Sequence, residues 1–305
     1  MAVFNTLAQP GKLSLGLVFP LEAYSGAVAR MQNQEQLAQL AERLGFQALW
    51  FRDVPFHDPS FGDTGQQFDP WVYMAHIMNQ TQRIALATGS IIMPLRHPVH
   101  MAKSINSLQV LSGGRLVLGL ASGDRPVEYP AFNQELDNRS ELFRDSFFYT
   151  KALLGDFPHY TSVHYGCTTG TIDLLPKYAP HTPMLVTGHS GQSLEWIAEH
   201  GDGWLYYPRD FRTLEMTMHR WQAALSKANQ AWKPFMQSLY VDLLDDSKAS
   251  PSPIHLGFKS GREYLITHLN ALESFGVNHV ILNLKYGSRP AKEVIAEIGE
   301  EVLPK

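Results

Sequence analysis

Short apolar runs and longer segments with helical spacing alternate along the whole chain. Eight of the runs are predicted to be strands, and they are Leu13–Phe19, Ala48–Phe51, Ile84–Met93, Arg115–Ala121, Pro183–Thr187, Gly203–Tyr207, Phe235–Leu244 and Val277–Leu284. Most of them are apolar throughout rather than at every second position. Continuous apolar runs are typical of parallel strands that are buried on both faces.

The segments between the runs carry apolar residues at helical intervals. The first stripe recurs at i, i+3, i+4 and i+7 and consists of Leu37, Leu40, Ala41 and Leu44, followed by Gly45 at the usual position of a helix end. A second helix is predicted from Pro98 to Gly113, and a third ends at Gly276. A strand followed by a helix, repeated eight times, predicts an α/β fold of the (β/α)₈ TIM-barrel class.

No composition break divides the chain, so we predict one barrel domain over residues 1–305. Three stretches, 54–69, 155–181 and 245–259, are too long for simple barrel loops, and we expect them to be insertions on the catalytic, C-terminal face. The middle stretch is expected to form a hairpin, with Tyr160, Val163 and Tyr165 against Ile172 and Leu174. A doubly wound sheet is the weaker alternative, because no G-x-G-x-x-G loop follows the first strand.

Composition narrows the functional classes. Of the 305 residues, 44% are hydrophobic and 18% are charged, as expected of a globular protein with a large core. The net charge of −4 argues against a nucleic-acid partner. No apolar stretch is long enough for a membrane span, and the N-terminus does not resemble a signal peptide. The single cysteine, Cys167, fits a reducing cytoplasm, where we expect the protein to be located.

Three polar, glycine-containing segments lie within or directly after predicted strands, and the ends of barrel strands with the loops that follow them form the catalytic face. The first contains Thr88–Gly89–Ser90, where glycine indicates either a bulge or a close approach to a ligand. The second contains Ser122–Gly123 and Arg125, which is a candidate anion partner or part of a surface turn. The third, Gly188–Ser193, precedes a helix and offers either ordinary capping or an anion site.

These segments together resemble the bacterial luciferase-like monooxygenase family. The resemblance rests on Ile84–Val99, on Leu108–Gly119, and on Val186–Ser190 with Gly201–Trp204. A closing helix and strand around Leu269–Val280 also match, so the similarity extends over nearly the whole chain in the right order.

The resemblance implies a flavin-type cofactor, FMN or the deazaflavin F420. The flavin ring would lie beside Thr88, Gly89 and Ser90, with a non-prolyl cis peptide at Gly89–Ser90 and with Asp53 at the ring edge or the ribityl chain. The cofactor phosphate would lie near the loop that follows the fifth strand and the end of the fourth strand. By position, this phosphate site would consist of Ser122, Gly123, Gly188, His189, Ser190, Gly191 and Gln192.

One position departs from the family pattern. Bacterial luciferases carry a catalytic histidine directly after an acidic residue at the end of the second strand, and here Val54 follows Asp53. Light emission is therefore not expected. His57, three residues further along the same loop, is the candidate catalytic residue because imidazole titrates near neutrality. The alternative is an exposed loop histidine without a catalytic role.

The resulting hypothesis is a monooxygenase or oxidoreductase that uses reduced FMN and O₂ to act on a small organic substrate. A separate flavin reductase would supply the reduced cofactor, and the resemblance implies a homodimer. The alternatives are F420-dependent hydride transfer and a flavin-binding protein without turnover. We expect no metal, since His97 and His100 lack the carboxylate set of a metal-dependent barrel.

Overall fold

The computed structural model describes residues 2–61 and 63–303, and within them eight parallel strands close into a barrel. Around the barrel the strands are β1 (Ser14–Val18), β2 (Ala48–Phe51), β3 (Ala85–Thr88), β5 (Leu116–Ala121), β8 (Met184–Thr187), β9 (Trp204–Tyr206), β10 (Phe235–Leu243) and β13 (His279–Asn283). The short strand β4 (Ile91–Ile92) continues β3 along β5. Pairing of β13 with both β1 and β10 closes the ring. The predicted TIM barrel and all eight predicted strands are confirmed.

Helices follow the strands and surround the barrel. They are α1 (Ala2–Leu7), α2 (Gln34–Leu44), α3 (Pro70–Met78), α4 (Pro98–Ser112), α5 (Arg139–Leu153), α6 (Leu194–His200), α7 (Phe211–Lys227), α8 (Arg262–Ser274) and α9 (Ala291–Glu297), with 3-10 segments at Met93–Leu95, Pro126–Phe132 and Leu136–Asn138 and a π turn at Ile298–Val302. The predicted ends at Gly45 and Gly113 are confirmed, because both adopt the left-handed conformation that ends a helix. Among the described helices, none is both long enough and apolar enough to cross a membrane.

Two apolar layers hold the barrel together. The outer layer joins the strands to the helices, whereas the inner layer fills the barrel with every second strand residue, for example Ala48, Trp50 and Met236. The inner layer continues into Leu7 and Ala8 at the end of α1, so this helix covers the N-terminal opening. Since the lower half of the barrel is packed, only its C-terminal mouth can receive a ligand.

The three predicted insertions have different structures. Residues 54–69, apart from Gly62, which lies outside the described residues, contain no helix or strand of their own. Residues 245–259 contain β11 (Ser252–Ile254) and the start of β12 (Gly257–Ser260), and β12 extends the barrel sheet alongside β10.

The 155–181 segment forms a hairpin, but the predicted pairing is wrong. The paired strands are β6 (His159–Thr161) and β7 (Cys167–Thr169). Val163 and Tyr165 therefore lie in the connecting turn. The turn is fixed by polar contacts that apolar spacing does not reveal, because the Asp145 carboxylate accepts hydrogen bonds from the Ser162 hydroxyl at 2.6 Å and the His164 amide at 3.0 Å.

Candidate functional site

A cavity of about 730 Å³ opens at the carboxyl ends of the barrel strands. Its floor is formed by inward-facing strand residues, among them Trp50, Leu205 and Ile281, and its walls by the loops that follow the strands. This volume lies within the usual range of small-molecule and cofactor sites, roughly 300–1,000 Å³. The candidate site is therefore at the face that the barrel architecture predicts.

Most of the residues that the sequence singled out lie in the cavity wall. These are Asp53, Gly89, Ser90, Ser122, Gly123, Gly188, His189 and Ser190. Four other candidates, Thr88, Gly191, Gln192 and His57, lie outside the wall. The structure thus brings together the segments that follow four strands, β2, β3, β5 and β8, which are up to 137 residues apart in sequence, from Asp53 to Ser190.

Thr88 is fully buried within the barrel sheet. Its hydroxyl donates to the Gly119 carbonyl at 2.8 Å and accepts from the Gly119 amide at 2.9 Å. Because the Thr88 hydroxyl bonds both backbone groups of Gly119 on the neighbouring strand, Thr88 has a structural role. Thr88 does not line the cavity, and its position beside the flavin ring stays a prediction.

Gly191 and Gln192 face α5 rather than the cavity. Gln192 donates to the Ser140 carbonyl at 2.8 Å and accepts from Arg144 Nε at 2.9 Å. Gly191 has φ +72°, and a Cβ there would collide with the Ser140 side chain. These two residues fix the loop against α5, and the atoms nearer the cavity belong to residues 188–190.

His57 does not reach the cavity wall. Its side chain is exposed, and its Nδ1 lies 2.7 Å from the Thr64 hydroxyl within the same loop. The distance along the chain from the strand end to His57 is short, but the loop directs the imidazole outward. The structure therefore gives no geometric support to His57 as the catalytic residue.

Asp53 is a buried anchor for the strand that follows. Its carboxylate accepts from Arg96 Nε at 2.8 Å, from Arg96 Nη2 at 2.7 Å, and from the Ile92 amide at 3.1 Å. Burial alone would lower the pKa of Arg96, but its bonds to Asp53 and Asp69 raise it. Asp53 thus lines the cavity with a carboxylate that is already satisfied by protein donors.

Gly89 and Ser90 lie at the end of β3, above the Trp50 ring. The Gly89–Ser90 peptide is cis, as the family resemblance implied. The Ser90 hydroxyl is hydrogen-bonded to the Thr187 hydroxyl at the end of β8. A Cβ on Gly89 would lie 3.5 Å from the ring of Trp50, which is itself fully buried, so the missing side chain leaves space above this ring at the end of β3.

The loop after β8 and the end of β5 meet through two serines. The Ser122 amide donates to Ser190 Oγ at 3.2 Å, and that hydroxyl donates to the Thr187 carbonyl at 2.8 Å. Ser190 adopts the left-handed conformation, with φ +47°. Within the described part of the chain, the backbone N–H groups of His189, Ser190 and Gly191 donate no hydrogen bond. Consecutive unbonded N–H groups are the donors that an anion requires.

The cavity wall also contains a charged cluster that the sequence did not predict. Asp63, from the 54–69 loop, lies 2.9 Å from Arg52 Nη1 and 3.2 Å from Lys285 Nζ, and accepts from the Tyr24 hydroxyl at 2.8 Å. Burial alone would raise the pKa of Asp63, but Arg52, Tyr24 and Lys285 hold it below its ordinary value. Burial would likewise lower the pKa of Arg52, and Asp63 raises it. The cluster fixes the loop over the cavity.

Other wall residues were also missed, although strand parity identifies some of them. Arg52 continues the inward series of Ala48 and Trp50, and Ser238 and Tyr240 continue that of Met236. Such polar groups within apolar strands are a usable signal. His255 and Tyr286 come from loops, and nothing in the sequence indicates that they reach the cavity.

The described residues contain no group of three or more His, Cys, Asp or Glu side chains that could hold a metal ion. The donors in the cavity wall are backbone N–H groups, hydroxyls and guanidinium groups, which suit an organic or anionic ligand.

Comparison with known proteins assigns the family. A family model described as luciferase-like monooxygenase matches residues 13–249. The chain belongs to this family. The matched span begins at β1 and ends within the 245–259 insertion, so it includes seven of the eight barrel strands described above and both halves of the Ser122–Ser190 contact.

The names of the curated relatives give different activities. An F420-dependent hydroxymycolic acid dehydrogenase from Mycobacterium tuberculosis is 27% identical over 214 residues, 68% of this chain and 56% of that protein. The alkanal monooxygenase alpha chain of the Kryptophanaron alfredi symbiont is 26% identical over 168 residues, 54% of this chain and 45% of that protein. The chain thus spans about half the length of these relatives.

Solved structures confirm the fold at low sequence identity. An F420-dependent secondary alcohol dehydrogenase, in complex with an F420–acetone adduct, superposes with a TM-score of 0.79 at 18% identity, covering 96% of this chain and 98% of the other. The oxygenating constituent of 3,6-diketocamphane monooxygenase from Pseudomonas putida, in complex with FMN, gives 0.77 at 16% identity, with 96% and 99% covered. Proteins of both cofactor types therefore share this fold.

Proposed function

We propose that the protein is a flavin-dependent oxidoreductase that uses reduced FMN and O₂ to oxygenate a small organic molecule. The observation that carries the proposal is the cavity of about 730 Å³, whose wall holds the partly exposed ring of Tyr207 and unbonded N–H groups at His189 and Ser190. A flat aromatic surface and a separate group of anion donors are what a phosphorylated isoalloxazine requires.

In this proposal the ring lies in the cavity beside the Gly89–Ser90 peptide. Gly89 carries no side chain that would fill this space, and the Ser90 hydroxyl, bonded to Thr187, offers a fixed polar group at the ring edge. Asp53 supports the cavity wall and does not hold the cofactor directly, because Arg96 and the Ile92 amide already occupy its carboxylate. This proposal differs from the contact with the ring edge or the ribityl chain that the resemblance implied for Asp53.

The cofactor phosphate, in this proposal, binds the loop of residues 188–190 where it meets Ser122. The Ser122 amide fixes the Ser190 hydroxyl, and the left-handed backbone at Ser190 exposes successive N–H groups. Gln192 supports the loop by its bonds to Ser140 and Arg144. A backbone cradle of this kind recognises the charge of a phosphate without a lysine.

When bound, a reduced flavin would supply the electrons that activate O₂, while the protein orients the substrate and excludes water from the cavity. The 54–69 loop covers the cavity through the Asp63 contacts to Arg52 and Lys285, and this limits access of water to the bound substrate. Tyr240, in the same wall, stays protonated, because burial and the Asp63 carboxylate raise its pKa to about 12, and its hydroxyl makes only a long hydrogen bond to Asp63, at 3.5 Å. We propose that this hydroxyl, rather than the imidazole of His57, orients the substrate.

The family membership supports an oxidoreductase. Because the chain is similar to proteins of both cofactor types, one experiment compares the binding of FMN and F420. A separate flavin reductase, a homodimeric assembly and a cytoplasmic location belong to the same proposal. They rest on the resemblance described above.

The test is a flavin titration of the purified protein. Protein fluorescence is followed while FMN or F420 is added, because a cofactor bound in the cavity lies close to the buried Trp50 and quenches its emission. We expect FMN to bind with a dissociation constant well below millimolar. Binding of neither cofactor below millimolar concentration overturns the proposal, whereas tight binding of F420 alone supports the hydride-transfer alternative.

A second measurement separates catalysis from binding alone. Protein loaded with reduced FMN is mixed with candidate substrates, and O₂ uptake is compared with that of free reduced FMN. Substrate-dependent uptake above the protein-free rate is expected. Flavin binding without any such increase for a broad substrate panel favours a flavin-binding protein without turnover.

A further inference from the structure

Arg125 is a buried cation in the cavity wall. Its side chain is 4% exposed, at the turn that follows β5. Nη2 donates to the backbone carbonyl of Asp63 at 2.7 Å, and the guanidinium lies 4.1 Å from the centre of the Phe61 ring. Both contacts connect Arg125 to the 54–69 loop.

In the part of the chain that the structure describes, this guanidinium forms a long ion pair with Glu128 but no hydrogen bond to a carboxylate. Among the described residues, Arg125 Nη1 has no hydrogen-bond partner, and the nearest carboxylate oxygen, on Glu128, is 3.9 Å away. Both Glu128 oxygens are buried without a hydrogen bond, and burial raises the pKa of this carboxyl. The Asp63 carboxylate bonds to Arg52 instead, at 2.9 Å.

A buried guanidinium without a bonded anion is unfavourable, because desolvation is compensated only by close pairing. Burial, together with the nearby Arg52, lowers the pKa of Arg125, and Glu128 only partly opposes this. Asp124 also lines the cavity, but it is exposed and its charge is screened by water. An oxyanion that entered the cavity would supply the missing partner, and guanidinium binds planar oxyanions with two parallel hydrogen bonds.

We propose that Arg125 binds the oxyanion of an acidic organic substrate, a carboxylate in the first instance. The substrate is favoured over the cofactor phosphate because Arg125 contacts the 54–69 loop, whereas the proposed phosphate site has its own N–H donors at residues 189 and 190. Describing the bound acid as a substrate rests on the proposed function. The anion site itself does not depend on it.

The rest of the wall suits an apolar body attached to the acid. Phe61, Tyr207 and Tyr286 line the cavity, and 44%, 43% and 39% of their respective surfaces remain exposed. Partly exposed aromatic rings beside one buried cation match an aromatic or otherwise apolar carboxylic acid.

The test uses flavin-free protein with benzoate as the probe and benzamide as its neutral analogue. Dissociation constants are measured by isothermal titration calorimetry at constant ionic strength. Arg125→Gln is expected to weaken benzoate binding about tenfold or more, because a charge-assisted pair is lost, and to leave benzamide unchanged. Arg220→Gln is the matched control, since Arg220 is exposed on α7 and away from the cavity. Equal benzoate affinity in both variants overturns the proposal.

Asp63→Asn gives a test with the opposite sign. It keeps the shape of the side chain but removes a negative charge that acts on Arg125 through space. Benzoate is therefore expected to bind several-fold more tightly than to the wild type. If the Asp63 cluster has only a structural role, Asp63→Asn loosens the loop and benzoate binds more weakly. Unchanged or weaker binding of benzoate to Asp63→Asn therefore overturns the proposal. This result can be used even if Arg125→Gln does not fold.

Titrations with FMN and riboflavin identify the source of the oxyanion. If Arg125 binds the substrate, Arg125→Gln leaves the affinities for both flavins unchanged. A loss confined to FMN, which carries the phosphate, overturns the substrate assignment. Should neither flavin bind to the wild type, the proposed function fails, while the benzoate measurements still decide the anion site.

Discussion

The indole nitrogen of Trp50 donates a hydrogen bond to Nε2 of His279 at 3.0 Å inside the barrel. The other imidazole nitrogen, Nδ1, lies 2.6 Å from the Ser14 hydroxyl, which donates to the Leu7 carbonyl at 2.6 Å. Because Nε2 accepts, the proton of neutral His279 is on Nδ1. The network connects the floor of the cavity to the helix that closes the opposite end of the barrel.

This network makes stability depend on pH. Burial lowers the pKa of His279 to about 3, so the folded protein keeps it neutral while the unfolded chain takes up a proton below about pH 6.5. The unfolded state binds more protons between these values, and the free energy of unfolding therefore falls as the pH falls. From pH 7 to pH 5 this residue alone is expected to remove about 2 kcal/mol.

Urea unfolding of the wild type and His279→Gln at several pH values tests this. The variant is less stable at pH 7, because it loses the packed imidazole, but its stability should fall less steeply toward pH 5. His268→Gln should flatten the pH profile by a similar amount, since burial lowers the pKa of His268 to about 4, which also lies below this pH range. Parallel pH profiles for the wild type and His279→Gln would contradict the assignment.

Gly16 provides the space for the Trp50–His279 contact. A Cβ at this position would lie 2.6 Å from His279 Nε2 and 2.8 Å from Trp50 Nε1. Gly16→Ala is therefore expected to reduce the free energy of unfolding by about 1–3 kcal/mol, through overpacking. Gly155→Ala is the control, because its Cβ would meet only the Ala152 carbonyl, at 3.3 Å. Equal stability of the two variants in urea titrations would show that the barrel floor can relax.

Much of the barrel could be predicted because its strands are buried on both faces. The run Leu116–Ala121, for example, is apolar throughout and can only be a central strand or a buried helix, and the glycines that follow neighbouring helices favour the strand. Gly191 and Gln192 are different. Their neighbours in sequence line the cavity, and only the contacts with Ser140 and Arg144 on α5 turn these two residues away from it.

Charged residues were the hardest to place from the sequence. Asp53 was expected at the ring edge, yet its role depends on Arg96, 43 residues further along. Arg52 and Asp63 form their pair only because an irregular loop returns to the strand end. His57 is the opposite case. It is a titratable side chain near a strand end, but its own loop holds it against Thr64 and leaves it exposed. Long-range pairing in loops leaves no periodic signal.

The Asp53–Arg96 pair is expected to contribute to stability. In Arg96→Gln, the Ile92 amide is the one donor named above that still bonds to the buried Asp53 carboxylate. We expect the free energy of unfolding to fall by about 2 kcal/mol, a loss that solvent moderates because the Arg96 side chain is 25% exposed. Arg220→Gln, on the exposed face of α7, should change the free energy of unfolding by less than about 0.5 kcal/mol. A loss for Arg96→Gln no larger than that of the control in urea titrations would remove Asp53 as an anchor.

The proposed phosphate position can be tested by placing a negative charge at two neighbouring serines. Ser190→Asp puts a carboxylate where the 188–190 loop meets Ser122, so repulsion is expected to weaken FMN binding about tenfold or more. Riboflavin, which lacks the phosphate, should lose much less. The measurement is fluorescence quenching by each flavin.

Ser193→Asp is the matched control for charge. Ser193 caps α6 by accepting from the Trp196 amide, and aspartate caps a helix equally well, so the fold is retained while the charge moves three residues away from Ser190. A weaker FMN complex for Ser190→Asp alone places the phosphate at the Ser122–Ser190 contact. Equal FMN affinities for the two variants, or equal losses for FMN and riboflavin, would mean that the phosphate binds elsewhere and that the loop serves only to join β8 to α6.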